Sequence, residues 1–260
     1  MRRTLIGSVA VVLGLGALVA TGAGASGQGS PPELRPVPVQ GKLIAPGVKL
    51  TVHVFPAAHA PGKGRGGPKG PPSPSDDICT DGDQGTYSLF AKAKQGGMTF
   101  KLDNTFAPSA LQGTAPAAIG AAFDAWDGAI GGNYFDVQRD DAAPAAPSKD
   151  GVNVVGWAKL RPKNTLAAAW TYTDAATGRV LQADVFFNTG HSWGVLSGCN
   201  AAAAFDIQNI ATHEVGHVLA LEHVSDTAKV ATMYPSAPSG EIKKRTLTAG
   251  DVAGVTASLQ

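Results

Sequence analysis

The sequence predicts an α+β fold, because strand-like and helix-like patterns both recur along the last two-thirds of the chain. Five short apolar or alternating runs predict strands, at residues 98–102, 135–138, 152–157, 167–173 and 179–188. Residues 115–130 and 207–219 instead carry apolar side chains at helical spacing. A further helix begins near Leu247, with Thr248 as its N-cap and Asp251 three residues on.

Composition restricts the class of protein. The 260 residues are long enough for one well-cored domain with extensions. The formal net charge is +1, from 21 basic and 20 acidic residues, so no charge imbalance points to nucleic acid as a partner. The 33 glycines and 18 prolines indicate long irregular stretches between the regular elements.

The first 25 residues have the pattern of a signal peptide. Arg2 and Arg3 precede an apolar run over residues 5–20, and Ala25 ends a small-residue cleavage site. The alternative is a membrane anchor, but the apolar run is at the short end for a bilayer span. We therefore expect a secreted protein without stable membrane insertion after cleavage.

Residues 26–78 are predicted to be a pro-segment or a Pro/Gly-rich tail and linker. Within this segment, residues 49–55 alternate like a strand, and residues 61–74 are too rich in proline and glycine to pack. His53 and His59 are interpreted as ordinary solvent-facing residues. The alternative is that one of them caps a metal.

The densest chemistry lies in the helix predicted over residues 207–219, for which Asp206 is the expected N-cap. His213 and His217 are four residues apart, so their rings project from one helical face and can converge on one Zn²⁺. Glu214 lies beside the open metal position, where it can take a proton from metal-bound water and pass it to a leaving amine.

His223 is the expected third ligand, and it constrains the backbone. On a continuous helix it would lie about 240° around the axis from His217 and about 9 Å along it. The helix must therefore end near Leu219 or Ala220, and the chain must turn back towards the metal. Three imidazoles and an open fourth position are typical of catalytic zinc.

These residues resemble the metzincin metallopeptidases, whose motif is H-E-x-x-H-x-x-G-x-x-H followed by a Met-turn. The run ATMYP at residues 231–235 is similar to the Met-turn of the matrixin branch, and Ala220 replaces the motif glycine. The resemblance covers roughly residues 98–260. It implies that the predicted catalytic domain, residues 79–260, has a zincin-like fold, with a twisted mixed β-sheet packed on two long helices plus a C-terminal helix. It also implies that Met233 lies beneath the metal and that Tyr234 and Pro235 form the rim of the substrate pocket.

The resemblance carries two further expectations about the cleft. Residues 179–188 resemble the strand that leads to the cleft edge in matrixins, where an edge strand pairs with the substrate backbone. Ala237 replaces a tyrosine that matrixins commonly place in the pocket wall, so the family's side-chain preference does not transfer.

Two cysteines, Cys79 and Cys199, are expected to form a disulfide, since two cysteines in an exported protein most often pair. The bridge would close a loop of about 120 residues and restrict the unfolded chain. The alternative makes Cys79 a thiolate that blocks the metal.

Calcium is a further candidate cofactor. Five carboxylates in or near predicted loops are interpreted first as solvated groups and second as calcium ligands: Asp136, Asp140, Asp141, Asp174 and Asp184. Glu241 is a rival third zinc ligand if Ala220 prevents the turn, but it lies 24 residues past His217.

The sequence thus predicts a secreted, monomeric zinc endopeptidase that hydrolyses protein or peptide substrates, with one catalytic Zn²⁺ and Glu214 as general base. The alternative is a zinc-stabilised, non-catalytic binding or surface protein. Glu214 argues against that alternative, because a site without turnover has no need of the base.

Overall fold

The structure is a computed structural model that describes residues 29–58, 79, 85–199, 203–224 and 230–260. The predicted signal peptide, the Pro/Gly-rich run at residues 61–74 and His59 lie outside these residues. Within the described ranges, no helix is both long enough and apolar enough to cross a bilayer.

Ten strands and three α-helices form the described part of the fold. The strands are β1 (Glu33–Leu34), β2 (Val39–Ala45), β3 (Val48–Pro56), β4 (Met98–Leu102), β5 (Phe135–Arg139), β6 (Asn153–Leu160), β7 (Thr165–Asp174), β8 (Val180–Asn188), β9 (Trp193–Gly194) and β10 (Phe205–Asp206). The helices are α1 (Ala115–Ile130), α2 (Ile207–Val218) and α3 (Ala249–Leu259).

Eight strands form one mixed sheet, so the predicted α+β class is confirmed. The strand order is β2-β3-β7-β8-β6-β4-β5, and β1 pairs with the end of β6. The neighbours β5-β4-β6-β8 run parallel, whereas β8-β7-β3-β2 run antiparallel. The antiparallel half of the sheet lies beside α2, since β7 contacts that helix.

Capping residues fix the end of α1 and the start of α3. Glycine at position 131 takes φ 77°, the left-handed conformation that ends α1. At α3, Thr248 and Asp251 form the expected capping box, in which each side chain binds the other's backbone N–H. The bounds of α1 and the N-cap of α3 are as predicted.

The N-terminal segment contributes to the sheet. β3 pairs with β7 from Val48 opposite Asp174 to Pro56 opposite Thr165, and β2 covers the outer edge of β3. The strand predicted over residues 49–55 is therefore present, and it belongs to the same sheet as the strands that follow residue 79.

The predicted disulfide is present. Cys79 is bonded to Cys199, which lies shortly before α2, across a sequence separation of 120 residues. The alternative in which Cys79 is a metal-blocking thiolate is therefore wrong, since its sulfur is committed to the bridge.

Helix α1 and the loop that contains Met233 pack closely against α2. Nε1 of Trp126 in α1 donates to the carbonyl oxygen of Thr212 at 2.9 Å. Gly216 faces both Trp126 and the buried Met233, and a Cβ at this position would overlap with Sδ of Met233. The approach of α1 and residue 233 to α2 thus requires glycine at residue 216.

We expect Gly216→Ala to lower the free energy of unfolding by about 1–3 kcal/mol, because overpacking outweighs the roughly 1 kcal/mol by which alanine favours a helix over glycine. Gly120→Ala is the matched control, since a Cβ at this position in α1 meets no atom within 4 Å. Its unfolding free energy should rise by up to about 1 kcal/mol. Urea titrations in which both variants change stability alike would contradict this packing.

Candidate metal centre

The start of α2 is fixed by one carboxylate. Asp206 is the predicted N-cap, and its Oδ1 accepts from the backbone N–H of Asn209 at 2.8 Å. The same side chain accepts from the backbone N–H of Leu196 at 2.9 Å and from Nε of Arg245 at 2.8 Å. The cap therefore also ties the helix to the loops on either side of it.

The three histidines of the motif meet at one point. Nε2 of His213 lies 3.1 Å from Nε2 of His217 and 3.2 Å from Nε2 of His223, and the last two atoms are 3.1 Å apart. Three nitrogens on one tetrahedral zinc would lie roughly 3.3 Å apart, given bond lengths of about 2.0–2.1 Å. In the described ranges, no other group of three or more His, Cys, Asp or Glu converges closely enough to hold a metal ion.

Two of these rings have their other nitrogen committed. Nδ1 of His213 donates to the carbonyl oxygen of Thr232 at 2.7 Å, and Nδ1 of His217 donates to that of Leu221 at 2.8 Å. Because a carbonyl oxygen only accepts, the proton stays on Nδ1 and each Nε2 keeps its lone pair. Two such lone pairs 3.1 Å apart repel each other unless a cation lies between them, so the donor set fits zinc.

Burial keeps the histidines neutral. It lowers the pKa of His213 and of His217 well below the usual value. For His223, burial and the neighbouring His53 lower the pKa to about 4. Neutral imidazole is the form that binds a metal.

The turn after α2 delivers the third histidine. The helix ends at Val218, and Ala220 takes φ 69°, the left-handed conformation for which the metzincin motif uses glycine. The N–H of Leu221 donates to the carbonyl oxygen of Gly216 at 3.0 Å and thereby closes the helix. The predicted end near Leu219 or Ala220 is confirmed, and alanine supports the turn.

Glu214 lies between the two helical histidines in sequence and is fully buried. Burial raises the pKa of its carboxyl well above the usual value, and neither oxygen has a hydrogen-bond partner among the described residues. A buried carboxyl without a partner is costly. A cation and a water molecule beside the histidines would supply its missing partners.

The residues expected at the floor and the rim of the cleft differ in burial. Met233 is buried against Gly216, while Tyr234 and Pro235 are half-buried. A buried Lys244 lies behind them, with Nζ 5.6 Å from the centre of the Tyr234 ring. The sequence motifs do not indicate this lysine, because a run of polar residues does not show which of its side chains is buried.

Lys244 also binds Glu241, the alternative third zinc ligand. Its Nζ donates to Oε1 of Glu241 at 2.6 Å, and Nδ2 of Asn209 donates to the same oxygen at 3.2 Å. Glu241 is thus paired inside the protein and does not join the histidine cluster.

The expectation for His53 is wrong. Its side chain is 7% exposed rather than solvent-facing, and its ring stacks on His217 with the centroids 3.8 Å apart. Nε2 of His53 lies 3.1 Å from Oε1 of Glu222. Alternation in residues 49–55 predicted the strand, but it gave no sign that this polar face packs on the metal centre.

The strand that packs most against α2 is β7 rather than β8. The 179–188 pattern, likened to the strand leading to the cleft edge, forms β8, which lies inside the sheet between β7 and β6. β7 is the next strand outward, and β3 occupies its outer side. Both strands are buried along nearly their whole length, so no exposed face in the sequence shows which of them lies further out in the sheet.

The acidic side chains do not gather into a calcium cluster among the described residues. Asp136 and Asp141 are exposed, and Asp140 and Asp174 are partly so, as expected of loop carboxylates. For Asp184 the expectation of a solvated group is wrong. It is buried in β8, where its carboxyl accepts from the backbone N–H groups of Val154 at 3.0 Å and Ser148 at 3.2 Å.

A helix that carries H-E-x-x-H, a turn that returns a third histidine and a buried methionine below them define a metzincin-type centre on an α+β fold. Residues 91–259, more than half of the chain, match the sequence profile of the matrixin family. The chain belongs to the matrixin family.

Parts of the chain are similar to individual known proteins. Human matrix metalloproteinase-20 is 27% identical over 161 residues, which cover 61% of this chain and 31% of that protein. Metalloendoproteinase 1-MMP of Arabidopsis thaliana is 46% identical over 56 residues, which cover 22% of this chain and 15% of that protein. The chain thus spans a third or less of these relatives. Among solved structures, metalloproteinase-II of Bacteroides fragilis aligns with a TM-score of 0.33 and 10% identity, over 68% of this chain and 59% of that one.

We expect His223→Ala to lower zinc affinity at least tenfold, because two imidazoles would then hold an ion that needs three. His191→Ala is the control, since His191 is a half-buried histidine outside the cluster, bonded to the carbonyl oxygen of Thr165. Competition with a chromogenic chelator measures both affinities. Equal zinc affinity in the two variants would show that His223 is not a zinc ligand.

Proposed function

We propose that the protein is a secreted zinc-dependent endopeptidase whose catalytic domain spans residues 79–260. His213, His217 and His223 would hold one Zn²⁺, and Glu214 would act as general base. The observation that carries the proposal is the convergence of three histidine Nε2 atoms, two of them on fully buried rings, in a chain of the matrixin family. The same helix carries a buried carboxyl, Glu214, without a hydrogen-bond partner among the described residues.

Zinc, when bound, would supply a Lewis acid that polarises water and the carbonyl of the scissile peptide. Glu214 would accept the proton of the attacking water and transfer it to the departing amine, so no covalent intermediate with the protein is needed. The carbonyl oxygens of Thr232 and Leu221 would hold the histidine rings in the required tautomer. Tyr234 and Pro235 would border the pocket for the substrate side chain.

The proposed location rests on the N-terminal sequence and on the disulfide. We propose that residues 1–25 direct export, that residues 26–78 are a pro-segment or tail, and that the mature protein acts as a monomer. The Cys79–Cys199 bridge supports an oxidising destination. A calcium ion is a further proposal; among the residues that the structure describes, the candidate carboxylates do not converge on one point.

The alternative function is a zinc-stabilised binding or surface protein without turnover. This function would use the same three histidines to bind zinc, but it would not require Glu214. Zinc content and peptide hydrolysis, measured on the same samples, separate the two functions.

We expect Glu214→Gln to lower the rate of casein hydrolysis by at least about 100-fold, because an amide of the same shape cannot accept the proton. Zinc content should stay at one ion per chain, since Glu214 is not a ligand. A zinc chelator should abolish hydrolysis by the unsubstituted protein.

Glu33→Gln provides the carboxylate control, because Glu33 is exposed on β1 and pairs with Arg35 away from the metal centre. Its hydrolysis rate should be unchanged. Undiminished hydrolysis by Glu214→Gln, or hydrolysis that survives complete zinc removal, would contradict the proposed function.

A further inference from the structure

Residues 39–58, here called the N-terminal hairpin, lie across the candidate metal centre. The β3 strand of this hairpin pairs antiparallel with β7 over its whole length. Beyond β3, the N–H of Ala57 donates to the carbonyl oxygen of Asn164 at 2.8 Å, and the N–H of Ala58 donates to that of Ala237 at 2.9 Å. The hairpin backbone is thus held between β7 on one side and the loop after Met233 on the other.

The side chains of β3 fill the space in front of the histidines. Alternate residues of a strand face the same side, so His53 and Phe55 both point towards α2. The ring of His53 stacks on His217 at 3.8 Å, and the ring of Phe55 lies 4.1 Å from that of His213. Phe55 is fully buried. Two neighbouring positions of the hairpin therefore cover two of the three proposed ligands.

A carboxylate next to the third ligand clamps the hairpin. Oε1 of Glu222 lies 3.1 Å from Nε2 of His53, and Oε2 accepts from Nε2 of Gln40 at 3.1 Å. Glu222 immediately precedes His223 in the chain. Hydrogen bonds to a carboxylate are stronger than neutral ones, so both strands of the hairpin are tied to the metal centre.

We propose that the N-terminal hairpin is a non-covalent internal inhibitor of this site, in which β3 takes the place of an extended peptide substrate. The inference rests on the proposed function. A substrate that adds to a sheet edge needs the outer side of β7, and β3 already uses it. Cys79 is committed to its disulfide, so the blocking contacts of the hairpin require no thiol.

The physical consequence is a competition within one molecule. Substrate binds only to the fraction of molecules whose hairpin has left the cleft, and the apparent affinity falls by that fraction. Weakening the hairpin must therefore raise kcat/KM, although no residue of the catalytic machinery has changed. A merely structural hairpin would give the opposite result, since loosening it would lower activity or leave it alone.

The test uses zinc-loaded full-length chains and the initial rate of hydrolysis of a fluorogenic peptide. His53→Ala removes the stacking and one bond to Glu222, and we expect kcat/KM to rise about tenfold, because a bond to a charged group holds the hairpin shut. Gln40→Ala removes the second bond from an exposed side chain, and we expect a rise of about threefold.

Gln138→Ala is the matched control for Gln40→Ala. Gln138 is an exposed strand glutamine whose side chain accepts from Nζ of Lys101 at 2.8 Å, on β5 at the far edge of the sheet. Its kcat/KM should equal that of the unsubstituted chain. Because Gln40 is exposed, its variant keeps the test decisive even if His53→Ala misfolds. A kcat/KM that does not rise in Gln40→Ala or in a folded His53→Ala would overturn the inference.

A second measurement separates this inference from the proposed function. Fluorescein-labelled peptide VKLTVHVFPAA, the sequence of residues 48–58, is titrated into Glu214→Gln chains with and without His53→Ala, and anisotropy is followed. We expect at least tenfold tighter binding with His53→Ala. That result without hydrolysis by any chain would support the hairpin as inhibitor and contradict the peptidase. Equal rates of hydrolysis by the unsubstituted and His53→Ala chains, together with equal peptide binding, would support the peptidase and contradict the hairpin as inhibitor.

Discussion

The structure depends on burying three ionisable side chains in one apolar helix. His213, Glu214 and His217 are fully buried near the end of α2, and removing such groups from water without partners costs on the order of several kcal/mol. Two backbone carbonyl oxygens satisfy the outer ring nitrogens. The inner nitrogens converge with that of His223, and a cation is the partner that would satisfy all three. Neither oxygen of Glu214 has a partner among the described residues. The cap at Asp206 and the glycine contact at residue 216 both fix the helix that carries these groups.

The turn that follows α2 shows how the protein accommodates a departure from its family's motif. A left-handed alanine costs roughly 1–2 kcal/mol relative to glycine. The methyl group of Ala220 is fully buried, and burying one such group returns about 0.8 kcal/mol. The N–H of Phe90 also donates to the carbonyl oxygen of Ala220 at 3.1 Å and anchors the turn from outside. The turn therefore keeps the geometry that brings His223 to the other two histidines.

Local chemistry explains which features could be predicted from the sequence. The bounds of α1, the caps at Asp206 and Thr248 and the helix end near Ala220 all follow from periodicity and capping within a few residues, and each is present. The histidine cluster could also be predicted, because the spacing of the three histidines along the chain restricts where their rings can lie. Pairing of β3 with β7 joins residues more than a hundred positions apart, and alternation shows that a strand has two faces without showing what either face meets. For this reason the sequence does not reveal the burial of His53, nor that of Asp184, whose partners lie on another strand and a distant loop.

The metal centre and the strand that covers it form one arrangement. β3 pairs with the outer side of β7, which would otherwise be an unpaired sheet edge, and its side chains lie against the proposed zinc ligands. The most direct measurement is anomalous diffraction at the zinc edge from crystals of the full-length, zinc-loaded protein. This account predicts one zinc peak within bonding distance of Nε2 of His213, His217 and His223, with β3 still paired to β7. A zinc peak elsewhere, or a metal-loaded cleft with β7 unpaired, would contradict it.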